Sequence, residues 1–228
     1  QGAKLTVWGD SSYYLAERLD MMLSNLAMGA ALVFLVLTLF LRIRIAFWVM
    51  LGIPISFLGA LLMMPLLGEW SVSINLLSLF AFIMVLGIVV DDAIVIGESA
   101  YSEIQRYGHS SDNVIRGTLR VAMPATFGVL TTIAAFAPLL MIDATFAAFF
   151  RAIALVVTFC LIFSLIESKW ILPAHLAHMK YLPLDKATAN RLELFQMRFK
   201  ERLDHFIHHS YQPRLQKALK ARYNTMAM

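Results

Sequence analysis

The sequence predicts an all-α, polytopic membrane protein: five transmembrane helices followed by one amphipathic interfacial helix. Composition is the first reason. Of 228 residues, 60% are apolar and 15% charged, where a soluble domain holds about 45–50% and about 25%. Mean hydropathy is +0.71, more apolar surface than a soluble fold of this size can hide. The second reason is run length. Several uncharged runs reach the roughly 20 residues needed to cross the hydrocarbon core, and lipid leaves an open sheet edge without backbone partners. Soluble enzymes and disordered chains are thereby excluded. A single cysteine, Cys160, permits no intrachain disulfide and no cysteine metal cluster.

Residues 1–20 form a polar stub leading into the first helix. It lacks the basic, apolar, small-residue order of a signal peptide, and without an opening Met the chain reads as a piece of something longer. The transmembrane bundle is expected over 21–172, with spans near 21–41, 45–68, 73–101, 121–142 and 147–170. The third run is interrupted by Asp91 and Asp92, and the last carries Arg151 near its first turn. Pro54, Pro65, Pro124 and Pro138 fall within or near span ends, where neighbouring helices can satisfy freed carbonyls. Gly52, Ser56 and Ala60 form a small-residue row suited to close helix packing.

Lys and Arg placement sets the expected orientation. With the N-terminus outside, every basic residue except Lys4, Arg18 and Arg151 lies inside, 16 of 19. Residues 173–190 then form a cytoplasmic connector, and 191–222 a cytoplasmic surface helix kinked or ended near Pro213. Leu192, Phe195, Phe199, Leu203 and Phe206 recur at helical spacing, with Arg198, Lys200, Glu201, Arg202 and Asp204 mostly on other faces. Such a stripe suits a membrane surface; a soluble helix packed on another domain is the alternative.

Asp91 and Asp92 are the strongest chemical signal. A charged Asp at a span centre costs about 2.5–3.5 kcal/mol on insertion scales, and adjacent carboxylates disfavour joint ionisation. No Lys or Arg is expected at matching depth. The counter-charge must come from outside this chain, or a carboxyl must hold a proton, and either suits a proton carrier. Gly87, one turn before Asp91, would admit a close partner helix. Glu98 follows Asp91 by seven residues on nearly the same face, a possible proton path or a plain interfacial acid. Thr131 and Thr132 are candidate relay hydroxyls, although threonines in helices usually bond their own backbone. His205, His208 and His209 have helical spacing, but no cysteine or carboxylate cluster accompanies them, and no metal or other cofactor is expected. Phosphate-loop, Ser/His/Asp and zinc motifs are absent from the sequence.

The run from Ser73-Ile74-Asn75-Leu76 through Gly87-Ile88-Val89-Val90-Asp91-Asp92-Ala93-Ile94-Val95-Ile96-Gly97-Glu98 resembles the fourth transmembrane helix of resistance-nodulation-division (RND) efflux permeases of the AcrB-like kind. Gly52-Ile53-Pro54-Ile55-Ser56 with Gly59 resembles the third helix of that family. Pro124, Leu130-Thr131-Thr132 and Phe136-Ala137-Pro138-Leu139 resemble the fifth, and Arg151 and Leu172-Pro173-Ala174 bracket the sixth. The resemblance implies the second to sixth helices of an N-terminal half plus its surface helix. It makes Asp91 and Asp92 the proton-relay pair and puts a Lys counter-charge on the C-terminal half. The double Asp favours the drug-exporting branch over the heavy-metal branch; Ser99 departs from the Asn usual there.

The implied function is proton-coupled export of small hydrophobic or amphiphilic compounds across a bacterial inner membrane. A lipid- or protein-exporting RND relative and a non-catalytic membrane scaffold are the alternatives. An intramembrane aspartyl protease needs its two Asp on separate helices, and here they are neighbours. The partners implied are membrane lipid, protons, the C-terminal half and, in the full protein, a family-type trimer with a periplasmic adaptor and an outer-membrane channel; nucleic acid is not among them.

Overall fold

The computed structural model describes residues 11–70, 72–142, 147–179 and 191–221. Among them there is no strand, and five helices are long and apolar enough to cross a membrane, as the composition predicts. They are α1 (Ser11–Phe40), α2 (Ile43–Met63), α3 (Leu76–Tyr107), α4 (Ser111–Phe136) and α5 (Ala147–Ile166). A short α6 (Leu172–His178) continues α5.

The helices outrun their uncharged cores. α3 starts where Asn75 can cap it: its Oδ1 accepts from the Leu77 and Ser78 N–H groups at 2.9 and 3.0 Å, and Ser78 Oγ accepts from the Asn75 N–H. That reciprocal arrangement satisfies donors a helix start otherwise leaves open. α4 begins ten residues before Val121, because Ser110 Oγ caps the Asn113 N–H at 3.2 Å.

Prolines shape the helix ends in two ways. After Met63 the chain tightens into short 3₁₀ turns within Met64–Trp70, broken by a kink at Gly68 and containing Pro65, and after Phe136 into another, Ala137–Met141, containing Pro138. Pro173 instead follows a widened π turn, Glu167–Ile171, in which the Leu172 N–H bonds the Glu167 carbonyl. A proline cannot donate to the carbonyl four residues back, and the extra residue of a π turn relieves that misfit while the helix continues. α5 and α6 therefore make one apolar helix from Ala147 to His178.

α3 lies at the centre, packed on α2, α4 and α5. Val49, Ile53 and Phe57 of α2 join Phe82, Val85 and Val89 of α3 and Val156, Val157 and Leu161 of α5 in the buried core. The Phe57 and Phe82 rings lie 5.1 Å apart. Gly52, Ser56 and Ala60 are all buried, so the small-residue row is a contact face. A Cβ at Gly117 in α4 would sit 2.6 Å from the Ala100 Cα, which requires glycine there, and Ser99 Oγ donates to the Gly117 carbonyl at 2.7 Å.

A second compact unit takes in the chain from 180 onward and residues 38–40. Within it α7 (Arg191–Phe206) passes through a π turn, Ile207–Tyr211, into α8 (Gln212–Lys220). Pro213 follows that turn as Pro173 follows the earlier one. Phe195 and Phe206 are exposed, as are Arg198, Glu201, Arg202 and Asp204.

Candidate functional site

Asp91 and Asp92 fall midway along the 32 residues of α3, about 24 Å from either end at 1.5 Å per residue. Successive residues are about 100° apart, and the two carboxyls accordingly meet different surroundings. Asp91 is exposed and shares a face with Ile83, Gly87, Val95 and Glu98, all exposed as well. Nothing lies within 4 Å of a Cβ built at Gly87, so among the described residues no helix closes over that face.

Asp92 is half-buried, and its Oδ2 is fully enclosed without a hydrogen-bond partner. Ser164 of α5 is bonded to Val89 of α3, so Lys169, five residues past Ser164, lies at nearly the depth of Asp92, three past Val89. The expectation that no basic residue reaches this depth is therefore corrected. The uncharged run ends at Ile166, but the helix does not, and Lys169 extends from the π turn to donate to Thr126 Oγ1 of α4. Thr126 in turn donates to the Ala122 carbonyl at 2.5 Å.

Two residues before Lys169, Glu167 is 2% exposed. Its carboxylate occupies the space a side chain at Gly52 would need. α5 is held against α3 at this level by Ser164 Oγ, which donates to the Val89 carbonyl at 3.2 Å. The two helices run in the same direction, and three residues beyond these two stand Glu167 and Asp92. The signal for Glu167 and Lys169 was present in the sequence: Trp170-Ile171-Leu172 resumes the apolar pattern directly after them.

The remaining candidates lie elsewhere. Thr131 Oγ1 donates to the Phe127 carbonyl at 2.7 Å and Thr132 Oγ1 to Gly128 at 3.1 Å, each within its own helix. Glu98 is exposed about two turns beyond Asp91. His205 and His209 stack at 4.0 Å, and among the described residues no cluster of three His, Cys, Asp or Glu is arranged to hold a metal. Toward the α3–α4 turn, Glu103 is fully buried with Arg120 Nη1 2.7 Å from its Oε1, an ion pair the span pattern did not signal.

Comparison with known proteins gives a consistent family. The sequence profile described as AcrB/AcrD/AcrF family matches residues 1–228. The swarming motility protein SwrC of Bacillus subtilis is 31% identical over 177 residues, 74% of this chain and 16% of its own length. The multidrug resistance protein MdtC of Yersinia enterocolitica is 30% identical, covering 77% of this chain and 17% of its own. The toluene efflux pump membrane transporter TtgE of Pseudomonas putida is 25% identical, covering 82% and 18%. The chain thus spans about a sixth of the length of these relatives.

Proposed function

We propose, since the chain belongs to the AcrB/AcrD/AcrF family of RND efflux permeases, that it is the proton-relay bundle in the N-terminal half of a proton-driven exporter of small hydrophobic or amphiphilic compounds. The membership and the apolar helices make it a multi-pass membrane protein. Relatives named as a multidrug resistance protein and a toluene efflux transporter support export, rather than enzymatic conversion, as the activity. Placement in the inner membrane is supported by the family, and a periplasmic N-terminus by the distribution of the basic residues. A trimer with an adaptor and an outer-membrane channel belongs to the same proposal.

One observation supports the relay role most directly. An exposed carboxyl, Asp91, adjoins a carboxyl with an enclosed, unbonded oxygen, Asp92, at mid-helix. An unbonded buried carboxylate oxygen is costly as an anion and far less so as a protonated acid. The open Gly87–Asp91–Glu98 face would receive a helix of the C-terminal half, and a Lys there would compensate Asp91. Proton arrival would loosen that attraction and its loss restore it, so the contact between halves would follow the protonation state. The driving force includes about 2.3 kcal/mol per charge for each 100 mV.

The test is Asp91→Asn and Asp92→Asn in the full-length protein. Asn retains the size and cannot cycle a proton. Each variant should insert normally and lose substrate-driven proton flux in proteoliposomes. Wild-type flux in either one at equal abundance refutes the assignment of that residue.

A further inference from the structure

We propose that Glu167 and Lys169, on the π turn between α5 and α6, form a second ionisable station of the relay, with Glu167 binding and releasing a proton and Lys169 as an in-chain cation at nearly the depth of Asp92. The inference rests on the relay reading of the Asp pair and extends it to another helix.

Geometry is the first support. Ser164 is bonded to the Val89 carbonyl, and three residues on from each, a rise of about 4.5 Å, come Glu167 and Asp92. The two carboxyl-bearing positions lie at like depth on neighbouring parallel helices. Glu167 is 2% exposed, and its carboxylate fills the place left by the missing side chain of Gly52. A larger residue in α2 would displace it. Lys169 reaches across to Thr126 of α4. The pair therefore touches α2 and α4 from a single turn that lies at the level of Asp92.

Local backbone is the second support. A π turn widens the helix at Glu167–Ile171, and such turns occur often at functional sites. Pro173 accounts for some widening there, but the ionisable residues at its first and third positions are a separate fact. An intramembrane Glu and Lys are each expensive, and structural packing alone could be met by apolar residues of like volume.

The charged and titratable groups around Glu167 are few. α3 brings Asp91 and Asp92. Lys169 stands on the same turn, and His175 lies about two helical turns on. On α2 the nearest is Arg44, about two turns beyond Gly52. Glu167 takes up one proton to become a neutral acid and returns to the anion on releasing it; no other bond changes.

The experiment compares Glu167→Gln, Glu167→Asp, Lys169→Met and the double variant Glu167→Gln/Lys169→Met in the full-length transporter. Substrate-driven proton flux is measured from pH 5.5 to 8.5 and normalised to protein in the membrane. Glu167→Gln should lower flux at least about tenfold, whereas Glu167→Asp should retain most of it with a displaced pH profile. Lys169→Met should move the pH profile as well. The double variant removes both charges of the turn at once, so it carries the measurement if the single Gln variant fails to accumulate. It should stay as inactive as Glu167→Gln. Restored flux in the double variant would reduce the pair to a structural ion pair and overturn the proposal, as would near-normal flux in Glu167→Gln. Asp92→Asn run alongside separates the two levels. If it is inactive while Glu167→Gln is active, only the second station fails; if it is active, the relay reading itself fails.

Discussion

α5 and α4 have similar lengths and opposite surroundings. Half of the most apolar stretch of the α5–α6 helix is buried inside the chain, against 6% of that in the helix from Ser111 to Met141. Their hydropathies, 2.5 and 1.6, both suffice for a span. Apolarity therefore states that a helix lives in lipid, and other residues decide what it touches. α5 is fixed by specific contacts: Ser164 to Val89, Glu167 against Gly52, and Phe163 in the space a side chain at Gly59 would take. α4 is fixed by Gly117 against Ala100, by Arg120 to Glu103 and by Lys169 to Thr126, and beyond them its apolar residues are largely open. α3 carries both conditions on one helix, with Asp92 partly enclosed and Asp91 on an open face.

The largest expected effect addresses that last contrast. If the open faces met only lipid, Asp91→Asn would be silent and Asp92→Asn alone would abolish transport. We expect both to abolish it in the full-length protein, because the proposed function sets the other half against the open face of α3. Proton flux in reconstituted vesicles decides the point.

Next in size are glycine substitutions, read as stability. Gly52→Ala drives a methyl into the Glu167 carboxylate, and Gly117→Ala into the α3 backbone. Overpacking of this kind costs about 1–3 kcal/mol. Gly87→Ala meets nothing within 4 Å in this chain, and replacing a mid-helix glycine by alanine gains about 0.5–1 kcal/mol. Thermal unfolding of the chain in detergent should rank Gly87→Ala at or above the parent and the other two below it. Equal losses at all three positions would erase the distinction between closed and open faces.

Arg120→Ala comes next. It leaves Glu103, 0% exposed, without its cation, and an unpaired buried polar group costs about 1–3 kcal/mol. Glu103→Gln removes the charge and should cost less. The same unfolding assay should therefore place Arg120→Ala below Glu103→Gln; the reverse order would mean that the ion pair is not what holds this end of α4.

Much of this was legible in the residues, for identifiable reasons. A carboxylate pair inside an apolar run cannot be hidden by composition, so Asp91 and Asp92 stood out. The five spans followed from run length. Which Asp faces inward was not legible, because one residue rotates the side chain by about 100° and only the neighbours settle what it meets. Glu167 and Lys169 fell within the last expected span, 147–170, but at its end, where charged residues read as interfacial, and so were not singled out. The helix continues through them, helped by the π turn ahead of Pro173. The Gly52 row was read as close packing, which it is, but its occupant, a carboxylate, came from 115 residues further along the chain.

The smallest expected effect concerns the second unit, where exposure alone does not distinguish two kinds of surface. Phe206 and Arg202 are both exposed in α7. If α7 lies on the cytoplasmic face, Phe206 enters the headgroup boundary while Arg202 stays in water near anionic lipid. Burying a Phe side chain is worth about 1.5–3 kcal/mol, enough to shield it most of the time. Cys160 is fully buried in α5 and should not react, so single cysteines can be introduced at Arg202 and Phe206 without a competing thiol. An impermeant maleimide applied from the cytoplasmic side should label the Arg202 position quickly and the Phe206 position several times more slowly. Detergent should bring the two rates together, because the shielding is lipid and not protein. Equal rates in membranes would place α7 in water. Labelling from the periplasmic side would overturn the orientation inferred from the basic residues as well, since the same bias of basic residues underlies both.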